Sequence, residues 1–133
     1  MSNSIRVLLI DDETVFVDSL TKVLTRRGMI VQSAPDGHTA LELLKNEQFD
    51  VIVLDQRMPG LDGVSTLKAI QQNDTLTPVV FLSGNINLNQ VSEALKLGAA
   101  DVLLKPCPVE NLVCCIENVY ERRCFATEVE EKC

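Results

Sequence analysis

Val51-Ile52-Val53-Leu54 runs into Asp55, and Gln56-Arg57-Met58-Pro59-Gly60-Leu61-Asp62-Gly63 follows. Four apolar residues without polar alternation predict a strand covered on both faces, the pattern of a parallel sheet clad by helices. The Pro/Gly-rich stretch beyond Asp55 marks a loop at the strand's end. Three more runs have the same form. Val7-Leu8-Leu9-Ile10 precedes Asp11-Asp12, Val79-Val80-Phe81-Leu82 precedes Ser83, and Val102-Leu103-Leu104 precedes Lys105-Pro106. Strands of a parallel sheet point one way, so all four endings meet at one edge. That edge would gather three carboxylates, a hydroxyl and an ammonium.

Helical periods separate the strands. Helix one is expected from about Thr14 to Arg27, with Phe16, Leu20, Val23 and Leu24 on one face. Gly28 suits its C-terminal cap. A more polar strand, Ile30 to Ala34, suits a sheet edge. Helices are expected at about His38 to Asn46, Val64 to Gln72 and Asn87 to Leu97, the last stopping at Gly98. A fifth helix starts at Pro108 and carries Leu112, Val113, Ile116 and Val119 inward. Five βα units in succession predict a doubly wound α/β fold, its right-handed crossovers placing helices on both faces of a parallel sheet. Ligands of such sheets bind beyond the carboxyl ends of the strands, where the polar endings fall. After Arg123 the apolar stripe is lost, so 124–133 reads as a C-terminal tail or the start of a linker after a single domain over 1–123.

At 133 residues, 46% of them hydrophobic, the chain can bury a real core. A net charge of −7 argues against this domain holding a nucleic-acid backbone. No apolar run is long enough to span a bilayer, and Met1-Ser2-Asn3-Ser4 lacks the features of a signal peptide, so a cytoplasmic location is expected. The five cysteines (107, 114, 115, 124 and 133) form no C-x-x-C pair and read as reduced thiols, some of them buried. The single histidine, His38, reads as a solvated residue near a helix start.

Asp11, Asp12 and Asp55 should lie within a few ångströms of one another. Two like charges about 4 Å apart repel by about 4 kcal/mol at an effective dielectric of 20. Protonation of one carboxyl or a bound cation relieves this. Oxygen ligands with room for waters suit Mg²⁺, or Mn²⁺ in its place. Taken alone, Asp11-Asp12 has a second reading, since Asp12 could cap helix one. A carboxylate placed like Asp55 can act as a nucleophile toward phosphorus, giving an aspartyl phosphate. Phosphoryl transfer asks mainly for positioning and charge neutralisation, which a cation and Lys105 supply, while Ser83 can donate to a phosphoryl oxygen.

These motifs resemble the receiver domains of two-component response regulators. The resemblance covers roughly residues 5 to 121. It rests on Asp11-Asp12, Asp55 through Gly63, Ser83-Gly84 and Lys105-Pro106, with Gly98-Ala99-Ala100-Asp101 before the last strand. It implies a flavodoxin-like sheet of order 2-1-3-4-5. Asp55 would accept a phosphoryl group from a sensor histidine kinase or a histidine phosphotransfer protein. Asp12, Asp55 and the backbone carbonyl of Arg57 would bind Mg²⁺, with Asp11 acting through water. Lys105 would pair with the phosphoryl oxygens, Ser83 would be the switch hydroxyl, and the Lys105-Pro106 peptide would be cis. A switch of this kind catalyses only its own phosphorylation and dephosphorylation and controls a downstream effector domain or protein. A phosphorylation-dependent homodimer is a further expectation, without assigned interface residues. The chain is either a complete single-domain switch or the receiver of a longer regulator.

Two positions depart from, or bear on, that pattern. Val102 stands where the family usually places the aromatic ring that moves with the switch hydroxyl, so the readout is expected to run through the loop from Gly84 to Asn87 and through helix four. Arg57 borders the path of a hydrolytic water and is either a regulator of the phosphorylated lifetime or a solvated arginine; Asn85 belongs to the same region. Two other functions fit the sequence less well. A haloacid-dehalogenase-like phosphatase with Asp11 as nucleophile needs Asp-x-Asp, yet Glu13 holds the second place and a cap domain has no room. A nucleotide-binding module would need a Gly-rich phosphate loop after strand one, which is missing.

Overall fold

A computed structural model of the chain describes residues 4–56, 62–73, 77–84 and 88–132. Strands β1 (Arg6–Ile10), β2 (Ile30–Ala34), β3 (Val51–Asp55), β4 (Val79–Ser83) and β5 (Asp101–Leu104) alternate with helices α1 (Thr14–Arg26), α2 (Gly37–Asn46), α3 (Gly63–Asn73), α4 (Leu88–Lys96) and α5 (Val109–Lys132). The strands form one parallel sheet in the order β2-β1-β3-β4-β5, as the resemblance implied.

The two-residue period of the strands splits the core into two layers. Val7, Leu9, Val53 and Leu82 face one way and pack with Leu20 and Leu24 of α1 and with Leu112, Val113, Ile116 and Val119 of α5. Leu8, Ile10, Ile52, Leu54 and Phe81 face the other way and pack with Ala40, Leu67, Ile70 and Ala94 from α2, α3 and α4. Strands β3 and β4 are buried at every position, which is why their sequences show no alternation. At the sheet edge β2 leaves Ile30 and Ser33 exposed and buries only Ala34.

Helix ends follow local chemistry. Gly98 takes φ +99° just past α4. Its N–H donates to the Leu95 carbonyl at 3.1 Å, and the Ala99 N–H donates to the Ala94 carbonyl at 3.0 Å. This is a Schellman cap, whose left-handed residue is cheap only for glycine. Asp36 caps α2 by accepting the Thr39 N–H at 2.7 Å.

Two boundaries differ from the sequence reading. The N-cap of α1 is Glu13, without a side-chain bond, so Asp12 does not cap the helix. Helix α5 continues to Lys132, beyond the point where the apolar stripe ends. Its final turns contain neither glycine nor proline, and Ala126, Glu128, Glu130, Glu131 and Lys132 carry little helix penalty.

Candidate phosphoacceptor site

Strand register assembles the edge. Ile10 pairs with Leu54, so Asp11 follows β1 beside Asp55 at the end of β3. Asp55 pairs with Leu82, which places Ser83 one step further along β4. Ser83 pairs with Leu104, which places Lys105 one step beyond β5. The Lys105 N–H donates to the Ser83 carbonyl at 2.8 Å, tying the two endings together.

Asp11, Asp12 and Asp55 each bring a carboxylate oxygen within 4.8 Å of the other two. Asp11 and Asp55 are 3% and 5% exposed, whereas Asp12 is open to solvent. The Lys105 ammonium reaches into the cluster, 2.9 Å from Asp55 Oδ1 and 3.4 Å from Asp11 Oδ2. Among the described residues, three carboxyl groups share this nest with one ammonium. Burial pushes the Asp11 carboxyl above its ordinary range, against the lowering effect of the Glu13 N–H, which donates to Asp11 Oδ1 at 2.9 Å, and of Lys105. Burial pulls the Lys105 ammonium down, but the hydrogen bond and charge of Asp55, then those of Asp11, outweigh it, and the net shift is upward. Lys105 is therefore a fixed cation at neutral pH.

The donor set fits a hard divalent cation. It offers carboxylate oxygens only, two of them buried and one on the open side, where waters can complete a coordination shell. Lys105 neutralises part of the charge and leaves the remainder for such an ion.

The start of α3 lies close against the end of β3. The Gly63 N–H donates to the Gln56 carbonyl at 3.1 Å. A Cβ at Gly63 would lie 2.6 Å from Gln56 Cα and 2.8 Å from the Asp55 carbonyl oxygen. Only glycine permits α3 to start this close to the end of β3.

Asp11, Asp12, Asp55 and Lys105 are thus brought together by side-chain geometry, and Ser83 joins them by register, fully buried at the end of β4. The Lys105-Pro106 peptide is cis, as expected. Val102 is half-buried and packs on the α2/α3/α4 side of the sheet, and its N–H donates to Asp101 Oδ1 at 2.9 Å. Arg57 and Asn85 lie outside the described residues. Leu95 and Leu104 are exposed apolar residues on α4 and β5, while Val113 belongs to the core. Sequence reasoning placed Phe16 on the inward face of α1 and missed its contact with the site. Its ring centroid lies 4.8 Å from the Lys105 ammonium.

Comparison with known proteins agrees with this geometry. The sequence model of the response regulator receiver domain matches residues 7–117. PrrA, a transcriptional regulatory protein of Mycobacterium tuberculosis, is 38% identical over 118 residues, which cover 89% of this chain and 51% of that protein. The regulatory protein AtoC of Escherichia coli K12 is 30% identical over 124 residues, covering 93% of this chain and 27% of AtoC. The chain spans from about a quarter to about half the length of these two relatives. Among solved structures, the receiver domain of the Francisella response regulator 1452 superposes with a TM-score of 0.85 at 34% identity, covering 90% of this chain and 98% of that one. NtrX from Brucella abortus superposes with a TM-score of 0.92 at 27% identity, covering 98% of this chain and 30% of NtrX. Nothing in these comparisons supports a haloacid-dehalogenase-like phosphatase. No described helix is long and apolar enough to cross a membrane. The chain belongs to the response regulator receiver-domain family.

Proposed function

We propose that Asp55 is the phosphoryl acceptor and that the edge around it forms the transfer site. The observation that carries this reading is the Lys105 ammonium set 2.9 Å from Asp55 within a nest of three carboxylates. An oxygen of Asp55 attacks phosphorus of a phosphohistidine on a sensor kinase or phosphotransfer protein. The O–P bond forms as the N–P bond breaks, and the imidazole leaves with the electron pair and takes up a proton. Asp12, Asp55 and the backbone carbonyl of Arg57, with Asp11 through water, would hold Mg²⁺ or Mn²⁺. Such a cation neutralises charge on the phosphoryl oxygens.

Lys105 supplies the second positive charge. Once Asp55 is an acyl phosphate, its carboxyl group no longer carries a negative charge, and the ammonium turns to the phosphoryl oxygens. Ser83 donates its hydroxyl to the same group. Its backbone is bonded to Lys105, so a shift of Ser83 is felt both in the loop after β4 and at β5. Without an aromatic ring at position 102, the change is read out through that loop and α4. The chain turns over no external metabolite, and its output is an effector domain or protein, or a homodimer formed on phosphorylation. Residues 1–123 form the switch, and 124–133 lead from it. Arg57 and Asn85 tune the lifetime of the phosphorylated state.

The test is incubation with Mg²⁺ and acetyl phosphate, or with a phosphorylated kinase, read by intact mass. One phosphoryl group should be gained, and it should be lost with Asp55→Ala or on chelation of the metal. Full labelling of Asp55→Ala would move the acceptor elsewhere.

A further inference from the structure

Among the described residues, Asp55 at 2.9 Å, Asp11 at 3.4 Å and the face of the Phe16 ring, its centroid at 4.8 Å, lie around the Lys105 ammonium. Phe16 sits in the first turn of α1, half-buried, with its hydrocarbon packed on the core layer shared by α1 and α5. An aromatic face within about 6 Å attracts an ammonium through its quadrupole. The Lys105 side chain is only 21% exposed, so water screens this attraction less than it would on an open surface.

The two kinds of contact differ in how they respond to the reaction. Both carboxylates are committed elsewhere as the site works: Asp55 loses its negative charge when it forms the acyl phosphate, and Asp11 would turn part of its field toward a bound cation. The ring accepts no proton, binds no hard cation and keeps its quadrupole throughout. Lysine carries a flexible four-carbon stem whose ordering costs rotamer entropy. As the carboxylates weaken their hold, the ring remains as the wall that keeps the ammonium over the acceptor.

We propose that Phe16 is a positioning residue for Lys105, its ring face holding the ammonium against Asp55 before phosphoryl transfer and against the phosphoryl group afterwards. This rests on the reading of Asp55 as acceptor and adds a residue from α1 to it. Leucine at position 16 fills most of the same space without a quadrupole, and tyrosine restores one.

The experiment measures the rate of Asp55 phosphorylation by acetyl phosphate with saturating Mg²⁺. It compares wild type, Phe16→Leu, Phe16→Tyr, and a series with mono-, di- and trifluorophenylalanine installed at position 16. Phe16→Leu should slow the reaction by about three- to tenfold, and Phe16→Tyr should stay within about twofold of wild type. The logarithm of the rate should fall stepwise along the fluorinated series, which keeps ring shape while draining the π face. A wild type that labels at Asp55 with a flat fluorinated series overturns this inference alone, even if Phe16→Leu is slow, because packing then explains the loss. A wild type that takes up no phosphoryl group on Asp55 overturns the acceptor reading and this inference with it.

Discussion

Removing the charge of Lys105 should unsettle the domain in the absence of metal. Lys105→Met keeps the aliphatic stem and deletes the ammonium that lies 2.9 Å from Asp55 and 3.4 Å from Asp11. At an effective dielectric of 20 these contacts correspond to gross attractions of about 6 and about 5 kcal/mol. Much of that is offset by the cost of burying the lysine itself, which the variant no longer bears. Removing one partner of a buried pair costs about 3–5 kcal/mol, because a charge is left unpaired. Here the open side at Asp12 lets water reach the cluster, which argues for the lower end, about 3 kcal/mol. For a chain of 133 residues that is roughly a 10 °C fall in Tm. The assay is urea unfolding followed by circular dichroism, in EDTA and then in saturating Mg²⁺. The gap between variant and wild type should be widest in EDTA and narrow with Mg²⁺, since the cation neutralises the same carboxylates. A variant within about 0.5 kcal/mol of wild type in EDTA would show that the ammonium does not offset the buried charge, and the electrostatic account of the site would fall.

Three further outcomes are expected. The Asp11 carboxyl lies above its unfolded value of 3.8 because of burial, so the metal-free fold binds its proton more tightly than the unfolded chain does. Its contribution to stability is complete below about pH 4 and is lost as pH rises through the raised value; Asp11→Asn should flatten that limb of a stability–pH curve recorded in EDTA, and an unchanged slope would count against it. Cys115 is buried, its thiol donates to Asp101 Oδ2 at 3.4 Å, and burial pushes it up to about 12, so alkylation at pH 8 mapped by peptide mass should label the exposed Cys114 and Cys124 well before Cys115. Gly63→Ala would set a Cβ 2.6 Å from Gln56 Cα and 2.8 Å from the Asp55 carbonyl oxygen, so it should cost about 1–3 kcal/mol in urea unfolding and also slow labelling of Asp55 by displacing the end of β3; full stability with a full labelling rate would refute the close-approach argument.

The amino-acid sequence by itself determined the βα alternation, the order of the polar endings and which of those endings gather at one edge. These are local properties. Strands β3 and β4 are apolar up to their last residue because both faces are covered, and each ends in one buried polar residue at the edge of the sheet. A parallel sheet then carries Asp11, Asp55, Ser83 and Lys105 to a common edge without further information. Gly28 and Gly98, both at positive φ, were legible as helix stops for a similarly local reason. What only the tertiary structure decided depends on contacts between segments far apart in the chain. Asp12 reads equally well as a helix cap or as a member of the acidic nest, and the turn geometry chose the nest. Phe16 satisfies the inward stripe of α1 whether or not it touches Lys105, 89 residues later. The thiol of Cys115 finds Asp101 only when α5 folds back across β5. Hydrophobic periodicity states which face of a helix is buried, but the angle at which that face lies on the sheet, and so which side chain meets which charge, is set by packing summed over the whole core.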